Sequence, residues 1–181
     1  NGYLLPAKDI AWGFVWKVLE SVKATGLVAF LLPAMGILHN TDSQAARKML
    51  LERSRIRRII NLSDLCFQLF DGAARPTAVV LYSPQQQKTP YRFEYWVPKA
   101  DLNLRLKRLV TLSRADRLTF RSDLVTSDPT VFKRRLWARA PEERLLQYLR
   151  TIPSLASFVH EFKAFKRSKL EFNRDEHWVI G

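Results

Sequence analysis

The sequence predicts an α/β domain, and three observations carry that prediction. Residues 9–25 repeat apolar side chains at helical spacing, and Leu27-Val28-Ala29-Phe30-Leu31-Leu32 follows as an unbroken apolar run closed by Pro33. A second run, centred on Ile59 and Ile60, comes after another helical stretch. A third, Thr77-Ala78-Val79-Val80-Leu81-Tyr82, comes after a loop. Helix and strand signals alternating in this way belong to α/β folds, and the two strands in succession read as a closing β-hairpin.

Each element has its own signal. Asp9 can cap the first helix, whose stripe is Ala11, Phe14, Val15, Val18, Leu19 and Val22, widened by Trp12 and Trp16; Gly26 suits the position just past its end. The run 27–32 reads as a strand buried on both faces of a parallel sheet. Thr41-Asp42-Ser43-Gln44 offers a capping box for a helix burying Ala45, Ala46, Met49 and Leu50. Ile56 to Leu62 is the next strand, and a loop with Asp71-Gly72 and Pro76 leads to the third. Ser83 to Pro90 is a polar loop, and Tyr91 to Val97 alternates as a half-exposed strand does.

Beyond Pro98 the pattern turns to basic helices, so we divide the chain into an α/β part, 1–97, and a mainly helical basic extension, 98–181. Leu102, Leu106, Leu109 and Val110 form the first stripe there. Asp128-Pro129 starts a second helix and Pro141-Glu142-Glu143 a third, the latter burying Leu145, Leu146, Leu149 and Ile152. Ser154 starts a fourth, with Leu155, Phe158, Val159 and Phe162 on one face. No fixed-period repeat is present.

Composition bounds the function. The 181 residues include 30 Lys+Arg against 17 Asp+Glu, a formal net charge of +13 and a pI near 10.3. A 47% hydrophobic and 12% aromatic content excludes global disorder. The single cysteine, Cys66, excludes an intramolecular disulfide and a Cys-rich zinc site, and suits a cytoplasmic location. Spanning a membrane takes about 20 mostly apolar residues. The best stretch, Ile10 to Leu32, is broken by Lys17, Glu20 and Lys23, and no signal-peptide pattern opens the chain. The charge points to a polyanion, most often nucleic acid, against the plainer reading of a surface kept basic for solubility.

Self-contained catalysis finds no support. No two of the six glycines are close enough for a G-x-G turn or a phosphate-binding loop. His39, His160 and His177 lack metal-ligand spacing, no G-x-S-x-G elbow exists, and Cys66 lies among apolar neighbours as an inert buried thiol would. Asp64 and Asp71 flank a loop, where acids usually solvate turns. Neither a metal nor a bound cofactor is expected on this chain.

The basic residues fall in clusters. Arg53, Arg55, Arg57 and Arg58 crowd the second strand, and Lys163, Lys166, Arg167 and Lys169 lie near the end. Arg105, Lys107, Arg108, Lys133, Arg134, Arg135 and Arg139 lie on the extension's helices and are the DNA-binding candidates, because phosphate contacts call for clusters on several elements. Basic residues late in helices also complement the macrodipole, which accounts for 163–169 better than for 133–135.

The order of elements from Asp9 to Ser83 resembles the second half of the catalytic domain of N6-adenine DNA methyltransferases from restriction-modification systems. Asp9, Phe14 and Leu19 stand in that family's D-x-x-x-x-F-x-x-x-x-L helix, Gly26 to Pro33 in its glycine-led strand ending in proline, and Thr77 to Leu81 in its T-x-V-V-L strand. The resemblance implies a partial Rossmann-like methyltransferase sheet and, for the parent enzyme, methyl transfer from S-adenosylmethionine to adenine N6. It also implies an aromatic residue, Phe70 or alternatively Phe67, that stacks on the flipped adenine. The family's cofactor turn and its Asn/Asp-Pro-Pro-Tyr/Phe motif are absent, which implies a fragment or a degenerate paralogue beginning just after that motif. Its partners would be DNA, the missing N-terminal half, and specificity or restriction subunits, with no membrane.

The rival reading is a non-catalytic basic adaptor for nucleic acid or protein. A truncated domain exposes an apolar sheet edge or face; a self-sufficient adaptor does not.

Overall fold

The helix announced by residues 9–25 forms as α1, Ile10–Ser21, with the Asp9 carboxylate accepting from the Ala11 N–H at 3.0 Å. This computed structural model describes residues 2–6, 9–69, 75–138 and 140–153. They fall into two compact units, 1–138 and 139–181. In the first, α1 leads to β1 (Val28–Pro33), a five-residue π-helical turn (Met35–His39), α2 (Gln44–Arg53) and β2 (Arg55–Asn61). Then come α3 (Cys66–Leu69), β3 (Thr77–Ser83), β4 (Arg92–Trp96), α4 (Leu102–Lys107), β5 (Arg117–Arg121), α5 (Ser122–Ser127) and α6 (Val131–Trp137).

The five strands make one sheet in the order β1-β3-β2-β4-β5. β3 runs antiparallel to both β1 and β2, β4 is parallel to β2, and β5 closes antiparallel on β4. The antiparallel β2–β3 pair is the expected closing hairpin, although two more strands extend the sheet beyond it.

One face of the sheet packs against the helices. Val28, Leu32, Ile56, Ile59, Ala78, Val80, Tyr82, Phe93, Tyr95 and Phe120 point into this core, where they meet Trp12, Val15 and Trp16 of α1, Leu50 and Leu51 of α2, and Phe132 of α6. On the other face Leu31, Val79, Leu81 and Ile60 line up across β1, β3 and β2, whereas Arg58, Glu94, Trp96, Arg117 and Thr119 line up across β2, β4 and β5.

Several sequence expectations are corrected here. β1 is an edge strand rather than one buried on both faces. It pairs on one side with β3, and its alternation leaves Leu31 53% exposed. The buried stripe of α1 is Trp12, Val15 and Trp16, with Phe14 turned outward. Gly26 lies beyond the helix end; a Cβ there would come within 2.5 Å of Val22 Cγ1, so the requirement is a close approach in the turn. The Thr41–Gln44 capping box gives way to an Asn40 cap on a short 3-10 turn, because the Gln44 amide instead donates to the Thr126 carbonyl at 2.6 Å. α2 buries Ala46, Arg47, Leu50 and Leu51, and leaves Ala45 exposed.

After Pro98, residues 117–121 form β5 rather than helix, since the alternating Leu118 and Phe120 fit the free edge of β4. The stripe Leu102, Leu106, Leu109, Val110 is exposed. α4 ends at Lys107 and its buried residue is Leu104. The helix begun at Asp128-Pro129 starts at Val131 with Asp128 capping the turn before it. In the second unit α7, Ala140–Leu149, begins where Pro141-Glu142-Glu143 placed it, but its expected buried stripe is not buried among the described residues: Leu145, Leu149 and Ile152 are exposed and Leu146 is half-buried. The helix expected from Ser154 lies outside the described residues.

Candidate nucleic-acid interface at the strand ends

β1, β2 and β4 are mutually parallel, so their carboxyl ends gather on one rim of the sheet, where open α/β sheets place their ligands. The π-helical turn after β1 brings His39 to this rim. The segment after β2 brings Ser63, Asp64 and α3, and the exit from β4 brings Lys99.

A half-buried polar network holds these segments together. Asn61, at the end of β2, donates to the Tyr95 hydroxyl at 2.7 Å. Its carbonyl oxygen accepts from the Ser63 N–H at 3.0 Å and the Ser63 hydroxyl at 2.5 Å. The Tyr95 hydroxyl donates to the Phe132 carbonyl at 3.1 Å, and burial pushes its phenol well above the ordinary tyrosine range. His39 Nε2 lies 3.5 Å from both Ser63 Oγ and Asn61 Nδ2. Burial, reinforced by Lys133 and Arg47, lowers its pKa to about 4, so the ring is neutral at pH 7. The Ser63 hydroxyl is committed to Asn61, so Ser63 and His39 do not form a nucleophile–base pair.

Outside this network the rim presents aromatic and cationic groups. Phe67, on α3, is 77% exposed; as a core-closing side chain it would be buried. The Phe70 position lies outside the described residues. Asp64 accepts from the Ala100 N–H at 2.9 Å, tying the end of β4 to the segment carrying Phe67. Lys99 donates to the Leu136 carbonyl and lies 4.9 Å over the Trp137 ring.

The basic residues singled out from sequence divide between α4 and α6. Arg105 and Lys107 are exposed on α4. Arg108 ends that helix in a left-handed conformation (φ 56°) and reaches back to the Gln68 carbonyl at 3.1 Å, beside Phe67 in the chain. Lys133, on α6, faces His39. Arg134 is held inside the fold by Asp128 at 2.5 Å and Thr130 at 2.8 Å, and Arg135 is also engaged. Arg139 lies outside the described residues.

Sequence reasoning did not pick out Asn61, Tyr95, Lys99 or Trp137. The one signal available was a polar residue, Asn61, ending an apolar strand. Cys66 is buried and free, as its neighbours implied. Among the described residues no three His, Cys, Asp or Glu converge as metal ligands, and no helix is long and apolar enough to cross a membrane.

No sequence-family profile matches this chain, and no curated protein sequence does. Solved structures do. The chain is similar to the methyltransferase subunit of a type I restriction-modification system from Streptococcus thermophilus, at 18% identity and a TM-score of 0.52, over 74% of this chain and 31% of that one. Weaker likenesses are to the M protein of the type I restriction enzyme EcoKI (12% identity, TM-score 0.45, 66% and 35% of the two chains) and to a chain from a type I restriction-modification assembly (11%, 0.43, 82% and 37%). The fold is thus a mixed α/β sheet with helices, like part of a restriction-modification methyltransferase subunit, and the chain spans about a third of the length of the structures it matches.

Proposed function

We propose that this chain is part of an adenine-specific DNA methyltransferase of a restriction-modification system, acting in the cytoplasm. In this reading it completes the catalytic-domain sheet, walls the pocket for a flipped adenine and holds DNA, with the α/β part, expected as 1–97, extended by β5 from the basic extension, 98–181. The observation that carries it is Phe67, a large aromatic side chain left exposed at the carboxyl-end rim of a methyltransferase-like sheet. A flipped base offers two π-faces, and an aromatic plate at the pocket mouth stabilises it there. Phe70 would serve in the same loop. Arg105, Lys107, Arg108, Lys133, Arg134, Arg135 and Arg139 are the proposed phosphate contacts, with Arg134 first having to leave Asp128.

The residues present do not build a site for S-adenosylmethionine. The described glycines form no paired-glycine turn at a strand end, and Asp64, an acid at this rim, is committed to the Ala100 N–H. The cofactor and the Asn/Asp-Pro-Pro-aromatic motif are therefore assigned to the remainder of the assembly, and this chain alone is expected to transfer no methyl group.

Leu31, 53% exposed at the β1 edge and beside the half-buried Val79, Leu81 and Ile60, favours this reading over a self-sufficient adaptor. The isolated chain is expected to self-associate and to bind a hydrophobic dye; a dye-silent monomer would support the adaptor.

The direct test is labelled-methyl incorporation into duplex DNA by the assembled enzyme. Stacking of a base on an aromatic ring is worth about 1–3 kcal/mol, so Phe67→Ala is expected to lower transfer by about 5- to 150-fold. Robust transfer by the isolated chain, or none by the assembly, would refute the proposal.

A further inference from the structure

On the sheet face opposite α1, the part formed by β2, β4 and β5 is dominated by arginine. Arg57, Arg58, Arg92 and Arg117 line a groove of about 620 Å³ in which Glu94 is the one acid. Four cations against one anion leave a local charge of +3. The fold produces this cluster in a specific way. A register shift between Ile56 and Arg58 bulges Arg57 out of the β2–β3 ladder, and Arg58 pairs in register with Glu94. Glu94 accepts from Arg58 Nε at 2.7 Å and from the Trp96 indole at 3.0 Å, and forms an ion pair with Arg117 Nε at 3.2 Å. Those donors, Trp96 first, hold its carboxyl below the usual range. One acid thereby fixes guanidiniums from two different strands. Among the described residues neither Arg57 nor Arg92 pairs with a carboxylate.

We propose that this groove holds the phosphate backbone of duplex DNA, as a surface separate from the carboxyl-end rim; naming DNA as the polyanion rests on the methyltransferase reading. Adjacent strands lie about 4.8 Å apart, so arginines on β2, β4 and β5 span about 10 Å. Each DNA strand carries a phosphate about every 3.4 Å of helix axis, so two to three phosphates fall within that reach. Planar guanidiniums suit phosphate oxygens, and the Thr119 hydroxyl lies among them. An acidic protein partner fits less well. A protein interface centres on a desolvated apolar anchor, whereas the middle strand here presents Glu94 clasped by two arginines.

The test is fluorescence anisotropy of the chain with a short labelled duplex across a salt series. R57E/R92E removes two contacts at exposed positions. The slope of log affinity against log salt is expected to fall by about 2, at about 0.9 per phosphate lost, with affinity at low salt down at least about tenfold. T119E, which leaves every arginine in place, is expected to weaken binding in the same direction. Circular dichroism melting checks that both variants fold. Slopes unchanged in both variants overturn the proposal. So does a chain whose binding to polyglutamate, but not to DNA, is lost in them. Altered slopes with no methyl transfer by the assembled enzyme would refute the enzyme reading and leave the groove standing; intact transfer with unaltered slopes would refute the groove alone.

Discussion

Replacing Trp12 by alanine is expected to cost about 3–5 kcal/mol, the range for truncating a buried large aromatic, and so to remove a large share of a domain stability that is typically about 5–15 kcal/mol. Trp12 is fully buried and stacks on Trp16 at 5.4 Å, which in turn stacks on Tyr3 at 5.1 Å. These rings tie α1 into the main buried cluster of the first unit, so truncating Trp12 opens a cavity there. Trp12→Phe is the informative control. The Trp12 indole N–H is buried without a described acceptor, so phenylalanine removes an unsatisfied donor while keeping most of the apolar area. Its cost should be about 1–2 kcal/mol, well below that of Trp12→Ala, because the smaller ring leaves only a small cavity. Urea unfolding midpoints of the two variants check both figures. A Trp12→Ala protein as stable as the parent would mean that α1 does not anchor the core.

Much of this core was legible because burial imposes a period on the chain. The runs at 27–32, 56–62, 77–82 and 91–97 all fell on strands, and Asp9 capped its helix as its position before an apolar stripe required. Burial of β1 was misjudged because an apolar run looks the same in a central strand as in an edge strand waiting for a cover; only the pairing shows which it is. β5 was missed because five residues with two apolar side chains, Leu118 and Phe120, carry too little pattern until the free edge of β4 is beside them. Near the rim, the sequence offered Phe70, with Phe67 as the alternative, and basic residues that the structure places on α4 and α6. The Asn61–Tyr95–His39 network could not be named from sequence, because residues far apart in the chain meet only once β1, β2 and β4 are aligned. The arginine groove was half visible as the cluster before β2, but Arg92 and Arg117 join it through pairing alone.

Acid is expected to weaken the fold first at this rim, in a pH window that His39 sets. In the unfolded chain His39 titrates near 6.5, and in the folded chain burial, then Lys133 and Arg47, bring it to about 4. Between these values the unfolded state binds the extra proton, so stability is fully present above about pH 6.5 and is lost as pH falls toward about 4. The full shift implies a loss of about 2 kcal/mol between about pH 7 and about pH 5; screening by water at the exposed part of the ring brings this to about 1–2 kcal/mol. Among the described residues the other depressed groups, Glu94, Asp101, Asp123 and Asp128, are carboxylates whose contributions are lost at lower pH, so of these groups His39 sets the window. Urea midpoints at the two pH values should separate in the parent protein and nearly coincide in His39→Gln. Lys133→Gln, which removes a facing cation, should narrow the gap without closing it, because burial is the larger cause. An equal pH dependence in His39→Gln would show that the ring does not stay neutral. The consequence reaches the proposed interface, because a protonated His39 would stand beside Lys133 and Arg47 and strain the turn that meets Asn61 and Ser63. The segment carrying Phe67 starts from that same Ser63, so loss of DNA binding should track the loss of stability as the solution is acidified.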